Sequence, residues 1–349
     1  MNNSTQKQSA PAGESQQPIL MPRVSVILAT DTYETIRRVV ERLRRQTVRE
    51  QIEIVVIAPS AAAVDAVLAY RQEFAAVQIV ESSCTSIAAL RAQGIRSAAA
   101  PIVFIGETHS FPHPNMVEVL LPVFSNSWAA ATPAICNANP KGALSWAGLL
   151  ADYGQWIEGF DAGEIPAAPP HNAAYRRSVL LELGDRLEPA LGFSDELPLW
   201  MRAQGHRVYF EPAARIDHAN VDRLGHWIGS RFAAGWVVAS QRIHLWSWTR
   251  RLVYVGGSVF IPIVLTWRVF PGVRRSARRR HLPAATLPAL MLAAIIKALG
   301  ELCGYTGGAV TRVEHQMHEY EMHRLAFLSP GSLQPQTAVQ SSATGRIAA

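Results

Sequence analysis

Arg23-Val24-Ser25-Val26-Ile27-Leu28-Ala29, followed by Thr30-Asp31-Thr32, is the stretch on which the fold turns. Its near-continuous apolar run predicts a short parallel strand buried on both faces. Just downstream, Ile36, Val39, Val40 and Leu43 fall at i, i+3, i+4 and i+7, the spacing of one buried helix face. Asp31 and Glu34 stand at its start as a variant of the capping box. Working outward, strands are predicted over 53–58, 77–81 and 102–105, with helices from about Ser60 and from Ser86. The alternation implies an α/β protein with a mainly parallel central sheet flanked by helices. Ligands on such sheets sit beyond the carboxyl ends of the strands, here residues 30–32, 58–60, 82–85 and 106–110.

Several functions are excluded early. No GxGxxG follows the first strand and no GxxxxGK[ST] occurs, so dinucleotide oxidoreductases and P-loop NTPases lose their main support. Cys84, Cys136 and Cys303 lie far apart without a CxxC, which argues against a zinc ribbon or a disulfide framework. At 17% charged and 49% hydrophobic residues, the 349-residue chain is poorer in charge than an average soluble protein. The net charge of +6 is unevenly placed: residues 223–300 hold 12 Arg or Lys and no Asp or Glu. A mildly acidic body is thus joined to a basic, apolar C-terminal module, a partition unlike that of a nucleic-acid binder.

Further along, residues 129–220 lose the regular alternation and include the Pro-rich 165–170. They read as an acceptor-side half built on the same sheet. Residues 207–212 form an apparent edge strand before Ile216-Asp217-His218. Three stretches then carry a resemblance: Leu90-Arg91-Ala92-Gln93-Gly94-Ile95-Arg96-Ser97-Ala98, residues 195–205 (DELPLWMRAQG), and residues 209–218 (YFEPAARIDH). In this order and spacing the chain resembles a family 2 glycosyltransferase with the GT-A fold over about 23–220. Two positions depart from that pattern. Ala58-Pro59-Ser60 carries no carboxylate where the family usually has an Asp, and Gly106-Glu107-Thr108-His109 stands in place of the DxD metal motif. The chain is thereby similar to a divergent branch with Glu-x-His, to which His171-Asn172-Ala173-Ala174-Tyr175-Arg176-Arg177 also corresponds.

What the resemblance implies is specific. A nucleotide-sugar is the donor substrate, and sugar transfer develops negative charge on the leaving diphosphate. Glu107, His109 and His218 would hold a divalent cation there, Mn2+ accepting such mixed ligands more readily than Mg2+. Thr30, Asp31, Arg91 and Arg176 would contact the nucleotide or its diphosphate. Asn172 and Tyr175 would line the acceptor or donor-sugar side. An inverting transfer needs a carboxylate to take the acceptor proton, a role falling to Glu196 with Asp195 beside it. The bland counterpart is that both acids merely favour the dipole of the following helix.

The C-terminal module has two uncharged runs, 252–267 and 282–296, of 16 and 15 residues. Arg274-Arg275-Ser276-Ala277-Arg278-Arg279-Arg280 lies between them as an expected loop. Each run is slightly short of a single span. Interfacial or re-entrant helices on anionic lipid reconcile the Arg cluster with a nucleotide-sugar site on the same side. Four parts are thereby expected: a disordered tail (1–21), a GT-A domain (22–222), a basic membrane-associated helical module (223–328) and a second tail (329–349). With no secretory signal in the first 20 residues, the expectation is an enzyme on the cytoplasmic face of a bacterial inner membrane. It would move a sugar to an envelope, polysaccharide or lipid-linked acceptor, with no nucleic-acid partner. A non-catalytic member of the family, binding a sugar nucleotide or a partner protein, is the alternative.

Overall fold

The structure is a computed structural model that describes residues 21–333, apart from 194, 244–245, 280–281 and the side chains of 275–279. Most of the two expected tails, 1–20 and 334–349, lies outside the described residues. The predicted start of the second tail is ordered, because the Ser329 N–H donates to the Asp222 carboxylate and Arg223 donates to the Leu328 carbonyl.

The opening stretch forms β1 (Val24–Ala29), wholly buried, between β2 (Ile52–Ala58) and β4 (Ile102–Ile105). With β3 (Ala76–Glu81) these strands are parallel. Alternate side chains serve two cores. Val24, Val26 and Leu28 meet Ile36, Val39, Val40 and Leu43 of α1 (Tyr33–Leu43), as the spacing predicts. Ile27 and Ala29 meet Leu90 and Ile95 of α2 (Ile87–Ser97) on the other face.

Two local expectations need correction. Thr32, not Asp31, caps α1, its hydroxyl accepting from the Thr35 N–H at 3.4 Å, while Asp31 accepts from the Thr35 hydroxyl. The segment after β2 is not an α-helix but two 3₁₀ segments, Ala61–Ala63 and Asp65–Glu73. Its buried positions, Val64 and Val67, are three apart, matching the three-residue turn.

Beyond β4 come β5 (Ser110–Pro112), α3 (Met116–Leu120), β6 (Ala130–Asn137), α4 (Ala143–Tyr153), β7 (Gly163–Ile165), β8 (Ala173–Arg176), α5 (Arg177–Leu181), α6 (Leu187–Ala190), α7 (Glu196–Ala203) and β9 (Val208–His218). The sheet runs β3-β2-β1-β4-β8-β6-β9-β5, with β7 also on β9. β8 is antiparallel to both β4 and β6, and β9 is parallel to β6. The strand read as an edge is therefore interior, flanked by β6 on one side and by β5 and β7 on the other. Its register jumps from Pro133↔Glu211 to Ala134↔Arg215. Proline cannot donate to the ladder, so the break falls where it costs least, and it re-aims the end of β9.

The C-terminal part is helical: α8 (Leu224–Ile243), α9 (Trp248–Gly257), α10 (Ile261–Arg279), α11 (Thr286–Gly307) and α12 (Thr311–Met322). The arginine run through Arg279 is the end of α10, not a loop. Two continuous apolar stretches, Trp248–Arg274 and Thr286–Gly307, are 27 and 22 residues long, enough to cross a membrane by length and composition. One face of α11 is not free for lipid. Ala289, Leu290, Ala293 and Ile296 share a core with Trp146, Leu149 and Leu150 of α4.

The helices α8 and α11 meet backbone to backbone at Gly300, where an added Cβ would stand 2.1 Å from the Phe232 carbonyl oxygen. Replacement by leucine cannot be relieved by a side-chain rotation. Gly300→Leu is expected to cost about 1–3 kcal/mol or more as overpacking, read as a lowered midpoint in thermal melting of the full chain. An unchanged midpoint would contradict this packing.

Candidate functional site

Glu107 follows β4 at the carboxyl end of the parallel strands, and its side chain is almost completely buried. Oε2 accepts from the hydroxyls of Ser110 (2.9 Å) and Tyr153 (3.3 Å) and from the Asn172 amide. Around it stand His171 Nε2 at 3.1 Å, His109 Nε2 at 3.4 Å, His218 Nε2 at 3.6 Å and Arg91 Nη2 at 3.9 Å. The β9 register break and the β5–β9 pairing, Ser110↔His218, bring His218 beside the Glu-x-His segment.

The hydrogen bonds assign the imidazole tautomers. His218 Nδ1–H donates to Asn220 Oδ1 at 2.9 Å. The Thr108 hydroxyl donates to the Met322 carbonyl at 2.8 Å, so its oxygen accepts from His109 Nδ1–H at 3.3 Å. Both Nε2 atoms are left with lone pairs, and both are buried without a hydrogen-bond partner, as is Glu107 Oε1. Ligand atoms of Glu107, His109 and His218 lie within 4.8 Å of one another. Two imidazole lone pairs held beside the Glu107 carboxylate repel it unless a cation joins them, and two imidazoles with one carboxylate suit a transition-metal ion. Behind them, Asn220 Nδ2 donates to Asn137 and to the His218 carbonyl, fixing the ring from a second layer.

The electrostatics keep this set unprotonated. Burial works against the Glu107 charge, yet His171, His109, His218 and Arg324 together hold the carboxyl well below the usual range. Burial lowers His171 and His218 to about 4, only partly offset by Glu107. It lowers His109 as well, with Arg324 acting in the same direction. Ligands are thus ready without releasing protons. A stability consequence follows from the signs. Between pH 6.5 and 4 the unfolded chain binds protons on these histidines that the folded chain does not. Stability should therefore fall as pH drops through that window and be nearly flat just above it. Urea midpoints at pH 7 and pH 5 check this, and equal midpoints would count against neutral buried imidazoles.

The sequence-predicted residues divide into groups. Glu107, His109, His218, Arg91 and Asn172 come together in one cluster. Asn172 adopts φ +56°, a left-handed conformation asparagine tolerates, and this aims its amide at Glu107. Thr30 is buried and donates to the Thr32 carbonyl, while Asp31 pairs with His323 at 3.3 Å. Tyr175 and Arg176 are corrections. They lie opposite Val103 and Ile102, at the start of β4, whereas Ala173 lies opposite Ile105. At about 3.3 Å per residue, some 10 Å of strand separates Arg176 from the cluster end. Tyr175 donates to the Pro169 carbonyl in the core, and Arg176 clamps the carbonyls of Phe124, Asn126 and Trp128.

The acidic pair at the start of α7 also separates. Asp195 is 58% exposed, pairs with Arg242, and lines a cavity of about 560 Å³ whose wall includes His171, His218 and Tyr153. Glu196 accepts from Arg186 at 2.8 and 3.0 Å and is not among the lining residues of that cavity. Four contributors were not singled out from sequence: His171, Tyr153, Glu321 and Arg324. His171 had a signal, since it adjoins Asn172 in the quoted motif. Tyr153 and the buried Glu321–Arg324 pair come from α4 and the region of α12, where nothing local marks them.

Residues 25–184 match the family model for glycosyl transferase family 2. No curated protein matches the chain. Among solved structures it is similar to the mannosyltransferase PcManGT from Pyrobaculum calidifontis, in complex with GDP-Man and Mn2+. The identity is 17%, over 80% of this chain and 87% of that one, with a TM-score of 0.47. It is also similar to S. aureus TarS 1-349 in complex with UDP, at 14% identity over 82% of this chain and 92% of that one, with a TM-score of 0.43. The similarity to that family rests on the sequence match over residues 25–184.

Proposed function

Starting from a chain whose residues 25–184 match the family model for glycosyl transferase family 2, we propose that it is an inverting, membrane-associated transferase acting on a nucleotide-diphosphate sugar. The observation that carries this is the pair of partnerless imidazole nitrogens of His109 and His218 beside the buried Glu107 carboxylate, at the carboxyl end of the sheet. A divalent cation held by these three would offset the charge developing on the departing diphosphate. Arg91, from α2, adds a fixed positive charge beside it. The exposed residues Pro59, Ser60 and 83–86 leave the ends of β2 and β3 open for the nucleoside.

In the transfer, an acceptor hydroxyl oxygen attacks the anomeric carbon from the face opposite the diphosphate. The carbon–oxygen bond to the phosphate breaks, and its electron pair leaves with the nucleoside diphosphate. The hydroxyl proton passes to a carboxylate at the start of α7. Asp195 is the better placed of the two acids, because it borders the cavity that reaches His171 and His218. Release of nucleoside diphosphate from UDP-, GDP- and dTDP-sugars by the full chain with bacterial membrane vesicles tests the reading. Absence of release and of binding for all three would overturn it.

The domain division at 222/223 and the membrane role belong to the same proposal. The 3₁₀ turn between α9 and α10 exposes Val259 at 69%, and α10 exposes Ile263 and Trp267 at 66% and 80%. Arg250, Arg251 and Arg268 flank them. With one face of α11 packed on α4, in-plane contact with the cytoplasmic leaflet fits better than a span. Ile263→Glu is expected to reduce co-flotation with anionic vesicles several-fold without lowering the melting midpoint. Unchanged flotation would remove this face from the membrane.

A further inference from the structure

The pairing of β6 with β9 sets Cys136 opposite Asp217 and Asn137 opposite His218. Neighbouring residues on a strand point to opposite faces of the sheet. Asn137 and His218 therefore serve the Glu107 cluster, whereas Cys136 and Asp217 turn to the other face. The segment after β5 adds a third side chain there. Phe111 stands opposite Asp217, and the ladder continues past the strand end, where the His113 N–H donates to the Arg215 carbonyl at 3.0 Å. His113 is two residues beyond Phe111 and shares its face, with Nε2 3.0 Å from Asp217 Oδ1. Ligand atoms of His113, Cys136 and Asp217 all lie within 4.8 Å of one another. The sequence carries no local sign of this set, because its members come from three separate segments of the chain.

We propose that His113, Cys136 and Asp217 bind Zn2+, in a second metal site on the sheet face away from the Glu107 cluster. Tetrahedral zinc, with bonds of about 2.0–2.3 Å, separates its ligand atoms by about 3.3–3.6 Å, so side-chain shifts of about 1 Å complete the set. A thiolate, an imidazole and a carboxylate suit zinc, whereas the Glu107 set has no sulfur and suits a harder ion such as Mn2+. On binding, the Cys136 thiol gives its proton to solvent. It exchanges a weak contact to the Ala134 carbonyl, 3.8 Å long, for the metal bond. The bound set then carries two negative charges, the thiolate and the carboxylate. These hold the dication despite Arg42 of α1, whose charge interacts with Asp217. His113 and Asp217 are partly exposed, so an ion can enter and water can take the fourth position. Zinc bound there would clip β5, β6 and β9 together beside Ser110 and His218. The inference goes beyond the transferase reading and does not depend on it.

The test titrates Co2+, a spectroscopic stand-in for Zn2+, into the full chain in detergent with a non-thiol reductant. A cysteine ligand gives a thiolate-to-cobalt charge-transfer band, and the Glu107 set, without sulfur, gives none. A saturable band is expected in the wild-type chain. Zn2+ should bleach it and Mg2+, which prefers oxygen ligands, should not. In Cys136→Ser the band should be absent. His113→Gln should raise the Co2+ concentration for half-saturation at least about tenfold, since loss of a ligand exceeds the effect of losing an outer-shell partner. That variant carries the test should Cys136→Ser fail to fold. Four results would each overturn the proposal: no band in the wild-type chain, a band that Zn2+ leaves intact, a band kept in Cys136→Ser and so owed to Cys84 or Cys303, or a His113→Gln chain that titrates like the wild type. Nucleotide-sugar binding by the same preparation bears on the transferase reading alone.

Discussion

Glu107→Gln is expected to fold normally and to lose turnover by about a hundred- to thousandfold, the scale of removing one electrostatic stabiliser of a leaving oxyanion. The substitution keeps the side-chain shape. Its amide oxygen can still accept from Ser110, Tyr153 and Asn172. With its oxygen in the Oε2 position, its NH2 group takes the place of Oε1 and faces His171 Nε2 and Arg91 Nη2. A buried carboxylate is thus replaced by a donor that meets the Arg91 and His171 nitrogens, so the metal-free variant should melt somewhat lower than the parent while remaining folded. What it loses is the only carboxylate among the three ligands. Mn2+ affinity measured by calorimetry should fall in parallel with turnover. Loss of folding without metal, or retained Mn2+ affinity, would show that Glu107 is an electrostatic brace for the fold rather than a ligand.

Asp195→Asn should lower turnover by roughly a hundred- to ten-thousandfold, as expected for loss of a general base, with donor binding retained. Glu196→Gln should lower it by less than about tenfold, since that carboxylate serves Arg186 on the far side of the helix start. The contrast matters more than either value. Asp195 also pairs with Arg242, so its removal could act through that arginine. Arg242→Gln separates the two routes. A base role predicts that Arg242→Gln keeps most turnover and shifts the pH profile, whereas a positioning role predicts equal losses. If Glu196→Gln proves the more damaging variant, the motif-based assignment of Glu196 is right and the cavity is a poor guide to the base.

How far these sites could be read from sequence follows from where their contacts come from. β1, α1 and the Glu-x-His segment were legible because burial on both faces and helical spacing are local signals, and a strand's carboxyl end is fixed once the strand is known. Arg91 and His218 were reached through short motifs whose order mirrors the chain. Tyr175 and Arg176 were misplaced because β8 runs antiparallel to β4, so motif neighbours of Asn172 lead away from the site instead of toward it. Thr32 displaced Asp31 as the cap since both types suit the position and only the backbone decides. The Thr108 bond to Met322 spans more than two hundred residues and left no local trace. The same holds for the Gly300 contact with Phe232, which depends on how two helices approach.

The central claim is that Glu107, His109 and His218 hold a divalent cation that seats the donor diphosphate. Calorimetric titration of UDP-, GDP- and dTDP-sugars into the full chain, with Mn2+ and then with a chelator, tests it most directly. The account predicts that one donor binds with Mn2+ and that its affinity drops at least about tenfold, or about 1.4 kcal/mol, when the metal is removed. Binding of the same strength with and without metal, unchanged in Glu107→Gln, would contradict it.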